Sequence, residues 1–187
     1  MIGVLVSGSG TNLQALLDAG LPVVATASNR SDAYALERAR AADVDVAAFP
    51  IDEYPSRERR DGAMAEWLAD RGTRLVVCAG YMHLLTPTFL QRFSSSVINV
   101  HPSLLPEFPG THAVEEALAA GVLTTGVTVH YVDEGVDTGP VIEQCEIRIN
   151  AGETADSLLE RIHQVEHRLL PEVAARLVEE LRSAATR

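Results

Sequence analysis

The stretch from Asn99 to Gly110, which reads NVHPSLLPEFPG, is the starting point for predicting the fold. We predict that it begins as the end of a strand over residues 96–100. The strand stops at Pro102, because proline lacks an amide hydrogen and restricts the preceding residue to extended geometry. Side chains alternate faces along a strand, so Asn99 and His101 project from the same side. A carboxamide and an imidazole placed this way can both donate hydrogen bonds to an oxygen that becomes negative during acyl transfer.

Strand-like and helix-like segments alternate through the first half of the chain. The pattern predicts strands over residues 2–6, 23–27, 46–49 and 75–78, with helices over 13–17, 33–42 and 56–70 between them. Ser56 is a candidate N-cap for the last of these helices. Such alternation is typical of an α/β fold with a mostly parallel, twisted sheet and helices on both faces. Ligands bind beyond the carboxyl ends of strands in such sheets. Three segments fall at such ends: 7–12, 80–85 and 101–106.

The second half of the chain continues with a helix and two alternating strands. We predict a helix over residues 113–120 and strands over 126–132 and 141–149, the last resembling an antiparallel edge. A C-terminal helix begins near Thr154, a good N-cap residue. Pro171 is expected either to kink this helix or to start a second one. No internal repeat or linker divides the chain, so residues 1–187 are predicted to form one domain.

Composition excludes several classes of function. The net charge is −11, which disfavours a nucleic-acid surface. All fifteen basic residues are arginine, which excludes a P-loop lysine, a Schiff-base lysine and a lysine general base. A phosphate must therefore be bound by backbone amides, hydroxyls, side-chain amides or arginine.

The apolar runs are short, so no membrane span is expected. The chain begins directly in a strand-like run without a signal peptide, which favours a cytoplasmic protein. Cys78 and Cys145 each lie in an apolar run and are predicted to be buried free thiols rather than a disulfide. An edge strand and exposed helices are compatible with a homodimer.

A glycine-rich turn, SGSGTN over residues 7–12, lies between the first strand and the first helix. Glycines permit close approach of the backbone, and a helix start offers free amide hydrogens to an anion. The turn therefore predicts a phosphate site. It is not a dinucleotide fingerprint, because Leu13 occupies the third glycine position and Ser28-Asn29-Arg30 stands where the acidic residue is expected.

A family resemblance rests on the run NVHPSLLP over residues 99–106, followed by Pro109-Gly110-x-His112. It resembles the signature of formyltransferases that use 10-formyltetrahydrofolate, and the resemblance extends from Ser7 to Pro171. It implies a Rossmann-like formyltransferase fold with a C-terminal helix and one catalytic domain. The implied reaction is direct transfer of a formyl group from 10-formyltetrahydrofolate to the amine of phosphoribosylglycinamide, in purine biosynthesis, with no metal and no covalent enzyme intermediate.

A related hydrolase, formyltetrahydrofolate deformylase, is the alternative, since it shares the same catalytic residue types. It usually has an N-terminal regulatory domain, whereas Met1 here lies just ahead of the first predicted strand. The resemblance therefore favours transfer to an amine over hydrolysis.

The catalytic residues implied by the resemblance are Asn99, His101 and Asp137. From the residues alone, an imidazole that acts as an acid near neutral pH needs a nearby carboxylate, and Asp133, Glu134 and Asp137 are all candidates. The segment DTGPVI over residues 137–142 is similar to the family's DxGPVI, which selects Asp137.

The substrate-binding residues implied by the resemblance are Gly10, Thr11, Asn12, His163 and Glu166. Helical phase places Glu166 within the apolar stripe of the C-terminal helix, where a carboxylate is costly unless paired. It either forms an ion pair with an arginine or lines a cavity and accepts a hydrogen bond from a ligand. The family's EHxxxP segment favours the second interpretation.

Residues 163–167 of the C-terminal helix read HxxEH, the inverted zinc-protease motif. Helical phase directs both histidines to the edge of the stripe and the glutamate inward, and spacing identifies no third ligand. We therefore predict no metal site.

The resemblance also implies a folate site with backbone hydrogen bonds in an apolar slot, which suits a pterin ring. His83 stands where relatives commonly carry arginine. The predicted folate-binding residues are Arg57, Met82, His83, Leu84, Leu85, Asn99, Asp133, Glu134, Gly135, Val136 and Asp137.

Overall fold

The computed structural model of the chain describes residues 1–185. Seven strands and six α-helices alternate along this part of the chain, with a short 3₁₀ helix at Ile51–Glu53. The strands are β1 (Ile2–Val6), β2 (Val23–Ser28), β3 (Asp45–Ala48), β4 (Leu75–Cys78), β5 (Val97–His101), β6 (Thr124–Tyr131) and β7 (Val141–Arg148). The α-helices are α1 (Thr11–Asp18), α2 (Tyr34–Ala41), α3 (Arg57–Asp70), α4 (Pro87–Arg92), α5 (Ala113–Ala120) and α6 (Ala155–Ala185).

The strands form one sheet in the order β3-β2-β1-β4-β5-β6-β7. Strands β1 to β5 pair in parallel, whereas β6 and β7 are antiparallel to their neighbours. The predicted α/β class with a mostly parallel sheet is confirmed, as is the antiparallel character of its last strand. Short apolar strands such as β1 and β4 are fully buried, as expected for strands covered on both faces.

The strand order reverses between β1 and β4, and this reversal creates a crevice at their carboxyl ends. Ser7 follows β1 at this point. Its amide donates to the Gly80 carbonyl over 3.2 Å, and its Oγ accepts a hydrogen bond from the Met82 amide over 2.9 Å. These two bonds join the glycine-rich turn after β1 to the segment after β4.

Two hydrophobic clusters cover the two faces of the sheet. One contains the apolar residues of α1, α2, α5 and α6, and the other contains those of α3 and α4. In β5, Ile98 and Val100 belong to the first cluster and Val97 to the second. Asn99 and His101 share the parity of Val97, so both emerge on the α3 and α4 face, as the alternation predicts.

The structure corrects several details of the sequence prediction. Helix α4 was not predicted, although Thr86 and Pro87 provide its N-cap and first position. Helix α6 runs continuously through Pro171, so a second helix starting there is wrong. Cys145 is a free thiol as predicted, but it is half-buried rather than buried.

The N-caps predicted for two helices are confirmed. Ser56 Oγ accepts from the Arg59 amide over 3.3 Å, and Thr154 Oγ1 accepts from the Ser157 amide over 3.3 Å. Within residues 1–185, no helix has the length and apolar character needed to cross a membrane.

The structure predicts opposite effects of alanine at two glycines. A Cβ at Gly126 in β6 would collide with the Cys145 carbonyl oxygen and lie 2.5 Å from Leu104 Cδ2. We expect Gly126→Ala to lower the free energy of unfolding by roughly 1–3 kcal/mol, because the Cys145 carbonyl belongs to the backbone of the paired strand β7. In α3, a Cβ at Gly62 would lie 3.5 Å from Thr88 Cγ2, an ordinary contact. Gly62→Ala should therefore raise that free energy by about 0.5–1 kcal/mol.

Urea unfolding of the two variants and the wild type measures both effects. A Gly126→Ala protein as stable as the wild type would contradict the packing described for β6.

Candidate active site

A cavity of about 330 Å³ opens at the carboxyl ends of β4 and β5. Three parts of the chain line most of it: the segment after β4, the end of β5, and the loop between β6 and β7. Their lining residues include Tyr81, Met82, His83, Leu84, Leu85, Asn99, His101, Pro102, His130, Asp133, Gly135, Val136 and Asp137. The cavity therefore brings together most residues predicted for catalysis and for folate binding.

Asp137 contacts four groups in the cavity. Its Oδ2 lies 3.3 Å from His101 Nδ1 and accepts from the Gly110 amide over 2.8 Å. Its Oδ1 lies 3.5 Å from His130 Nε2 and 3.4 Å from Asn99 Nδ2. The backbone of Asp137 adopts a left-handed conformation with φ 54°, a strained conformation typical of functional sites.

The other two carboxylate candidates are placed differently. Asp133 Oδ1 accepts from the Gly135 amide over 3.0 Å and from Thr138 Oγ1 over 2.7 Å, which closes its own turn. Glu134 is exposed to solvent. Of the three candidates, Asp137 is thus the one whose carboxylate contacts His101.

The charge on Asp137 is favoured by its neighbours. Burial alone would raise the pKa of this carboxyl group. The hydrogen bonds from His130 and from the Gly110 amide, with the charges of His101 and His130, outweigh burial and lower the pKa below its ordinary value. Asp137 is therefore a carboxylate at neutral pH.

The orientation of His101 follows from its two ring nitrogens. His101 is only 4% exposed, and its Nε2 donates to the Phe108 carbonyl over 2.8 Å. Nδ1 is the nitrogen that faces Asp137. A carboxylate at this position can accept a hydrogen bond from a proton on Nδ1.

His130 is a site residue that the sequence analysis missed. Its Nδ1 donates to the Tyr131 carbonyl over 2.8 Å, and its Nε2 lies 3.2 Å from Asn99 Nδ2. In the antiparallel pairing of β5 and β6, Asn99 lies directly opposite His130. Alternation along a strand puts His130 on the same face of β6 as Thr128, but only the strand register places it beside Asn99.

The predicted folate segment has an exposed and a buried part. Met82 and Leu84 are exposed at the cavity mouth, whereas Leu85 is buried. Arg57 is exposed and its guanidinium donates to the Leu84 carbonyl over 2.5 Å. The Arg57 side chain therefore contacts the main chain of this segment.

The glycine-rich turn needs Gly10 for two reasons. Gly10 has φ 75°, and a Cβ at this position would lie 2.5 Å from Ala35 Cβ. Close contact with α2 thus fixes the turn from which α1 begins. Arg38 of α2 donates from Nε to the Ser9 carbonyl over 2.8 Å and adds a positive charge beside the turn.

Glu166 meets Asn12 rather than an arginine. Asn12 Nδ2 donates to Glu166 Oε2 over 2.9 Å, and Glu166 is 5% exposed. Burial raises the pKa of Glu166 to about 7, and the hydrogen bond from Asn12 opposes the increase. The interpretation of Glu166 as half of a buried ion pair with arginine is therefore wrong.

The five predicted substrate-binding residues lie outside the lining of the 330 Å³ cavity. Thr11 instead lines a surface groove of about 600 Å³ between α1, α2 and α6, together with Arg38, His167 and Arg168. Asn12 Oδ1 and His167 Nε2 are buried polar atoms without a hydrogen-bond partner among the described residues. A ligand bound in this region would supply partners for both atoms.

The rings of His163 and His167 stack with centroids 6.1 Å apart. Burial lowers the pKa of both histidines, and for His167 the charge of His163 contributes. In the part of the chain that the structure describes, no three His, Cys, Asp or Glu side chains cluster in a way that could hold a metal ion.

Comparison with known proteins identifies the family. The sequence profile of the formyl transferase family matches residues 1–174. The chain belongs to this family.

Two curated relatives and one solved structure illustrate the similarity. The chain is 39% identical over 183 residues to the phosphoribosylglycinamide formyltransferase of Bacillus subtilis (strain 168), covering 94% of this chain and 93% of that protein. It is 40% identical over 184 residues to the trifunctional purine biosynthetic protein adenosine-3 of Drosophila pseudoobscura pseudoobscura, covering 94% of this chain but only 14% of that protein. The crystal structure of phosphoribosylglycinamide formyltransferase from Streptococcus pneumoniae TIGR4 superposes with a TM-score of 0.91 at 43% identity, covering 95% of this chain and 98% of that one.

The raised pKa of Glu166 predicts a pH dependence of stability. A group whose pKa is higher in the folded than in the unfolded chain stabilises the fold below its unfolded pKa, and this contribution disappears as pH rises through the folded pKa. For Glu166 the window runs from 4.5 to about 7. The wild type should therefore lose up to about 3 kcal/mol of unfolding free energy, relative to Glu166→Gln, between pH ~5 and ~8.

Urea unfolding at several pH values measures this difference. Glu172→Gln, an exposed position on the same helix, is the matched control and should follow the wild type. A constant difference between wild type and Glu166→Gln across this window would contradict the burial of an ionisable Glu166.

Proposed function

We propose that the chain catalyses transfer of a formyl group from 10-formyltetrahydrofolate to the amine of phosphoribosylglycinamide. The single observation that supports this most strongly is the contact of the Asp137 carboxylate with both His101 and Asn99 at the wall of one cavity. We further propose that residues 1–187 act as one catalytic domain. The similarity to proteins named for this activity supports the choice of substrate.

Asn99 and His101 are proposed to stabilise the oxyanion of the tetrahedral intermediate. The Nε2 of His101 stays hydrogen-bonded to the Phe108 carbonyl. The proton available for the reaction is therefore the one on Nδ1. The contacts of His101 Nδ1 and Asn99 Nδ2 with Asp137, at 3.3 and 3.4 Å, are longer than ordinary hydrogen bonds. Each of these long contacts can be exchanged for a stronger hydrogen bond to the oxyanion. Catalytic hydrogen bonds are often long before the substrate binds.

Asp137 is proposed to keep the imidazolium of His101 charged and to guide a proton towards the leaving nitrogen. Its own lowered pKa keeps Asp137 ionised at neutral pH. The reaction then needs no covalent enzyme intermediate, because the substrate amine attacks the formyl carbon directly and the positive charge lies where negative charge develops.

The substrate is proposed to lie along the start of α1. The amides at Gly10, Thr11 and Asn12 are proposed to bind the phosphate, since a helix N-terminus attracts anions. Glu166, with a pKa of about 7, is suited to accept a hydrogen bond from the glycinamide end of the substrate. His163, one helical turn before Glu166, is proposed to contact the same part of the substrate.

The folate is proposed to occupy the 330 Å³ cavity. Exposed Met82 and Leu84 and buried Leu85 supply apolar surface for a flat ring. The loop of Asp133–Asp137 closes the opposite side. Of that loop, Asp133, Gly135, Val136 and Asp137 line the cavity, whereas Glu134 is exposed to solvent.

Removing one member of the catalytic group should reduce turnover without unfolding the protein. We expect Asn99→Ala, His101→Ala and Asp137→Ala each to lower kcat by about a hundredfold or more. Asn99 and His101 are each proposed to supply one donor to the oxyanion, which contributes roughly 3 kcal/mol, and Asp137 is proposed to keep His101 in place as that donor. The measurement is formyl transfer from 10-formyltetrahydrofolate to phosphoribosylglycinamide, followed as release of tetrahydrofolate. Circular dichroism checks that each variant folds.

His112→Ala is the matched control, because His112 is exposed at the start of α5. It should retain wild-type kcat. Near-wild-type turnover by His101→Ala would refute the catalytic assignment. If the wild type releases formate at a rate independent of the amine substrate, the proposed transferase activity is wrong and the activity is that of a deformylase.

A further inference from the structure

A buried ion pair lies beneath the wall of the cavity. Arg60 and Asp61, neighbours in α3, are both 0% exposed. Arg60 donates to Asp61 Oδ1 from Nε over 2.9 Å and from its terminal nitrogen over 2.7 Å. An apolar pair of similar volume is often as stable as a buried ion pair, so burial of these charges points to a role beyond stability.

Both members of the pair reach the segment after β4. Asp61 Oδ2 accepts from the Thr86 amide over 2.8 Å. The remaining terminal nitrogen of Arg60 lies 3.3 Å from His83 Nδ1. The pair therefore holds the last residue before α4 through its backbone, and Arg60 makes a longer contact with the side chain of His83.

The contact with Arg60 decides which nitrogen of His83 carries hydrogen. A guanidinium is always a donor, so Nδ1 must accept with its lone pair. The hydrogen of the neutral ring then lies on Nε2. Three charged groups, all from α3, act on this ring: Arg60, Arg57 and Asp61. Burial, then the charges of Arg60 and Arg57, lower the pKa of His83 and keep the ring neutral.

We propose that Arg60, neutralised by Asp61, is a positioning residue that holds His83 as the neutral Nε2–H tautomer, so that His83 presents one oriented donor at the cavity wall. The ligand group it fits is a hydrogen-bond acceptor, a carbonyl or carboxylate oxygen or a ring nitrogen of the folate. This inference rests on the proposed function, because it assumes that a folate occupies the cavity.

The tautomer is tested directly by ¹⁵N NMR of the imidazole rings of the whole protein at pH 7. His83 is assigned from the signal lost in His83→Gln. We expect His83 to show an unprotonated Nδ1 and a protonated Nε2. In the double variant Arg60→Met/Asp61→Asn, which removes both charges and keeps an acceptor for the Thr86 amide, the ring should become a mixture of tautomers. A wild-type His83 that is charged, or protonated on Nδ1, overturns the proposal.

The donor is tested by binding of tetrahydrofolate to two variants of the same position. The amide nitrogen of glutamine can stand where Nε2 stands, whereas that of asparagine reaches only the position of Nδ1. We expect His83→Gln to keep the dissociation constant within about threefold and His83→Asn to raise it about tenfold, the range for one hydrogen bond. The double variant should weaken binding about three- to tenfold. His112→Asn is the exposed control and should bind as the wild type does.

The outcomes separate the two proposals. If the wild type binds tetrahydrofolate and His83→Asn binds it equally well, the role of His83 is refuted while the proposed function stands. If the wild type does not bind tetrahydrofolate at all, both are refuted.

Discussion

The site depends on one carboxylate held among groups from separate parts of the chain. Asp137 contacts Asn99 and His101 from β5, His130 from β6, and the Gly110 amide from the loop after β5. Its left-handed backbone conformation is tolerated because these contacts determine its position. The antiparallel register of β5 and β6 is therefore as necessary to the site as the side chains themselves, since a slip of one residue would turn His130 to the other face.

The reversal of strand order explains why the two halves of the site lie where they do. The side chains of β5 that face α3 and α4 reach the 330 Å³ cavity, whereas the glycine-rich turn opens towards α1 and α6. Ser7, bonded to both Gly80 and Met82, ties the two halves together at the crevice. A chain of net charge −11 can still bind an anion here, because the local donors are backbone amides and arginine.

Much of the fold follows from the sequence because its signals are local. Buried apolar strands, the caps at Ser56 and Thr154, and the proline after β5 each act over a few residues, and the structure agrees with them. The run of residues 99–106 was enough to name the family that the comparisons identify. The short helix α4 was missed because six residues are too few to show a helical period.

The contacts that the sequence did not predict join residues that lie far apart in the chain. The register of β5 and β6 places His130 beside Asn99. The fold brings Asn12 into contact with Glu166, which is distant from it in the chain. An apolar stripe with one acid in it predicts that the acid needs a partner, but it does not name the partner. The same holds for Arg60, whose contact with His83 depends on a loop that follows another strand.

The hydrogen bond between Asn12 and Glu166 joins residues 154 positions apart. On the ribosome the glycine-rich turn is made early and its acidic partner is among the last parts of the site to be synthesised. The bond therefore cannot form until α6 has been synthesised. Docking of the final helix must come before the glycine-rich turn gains its acidic partner.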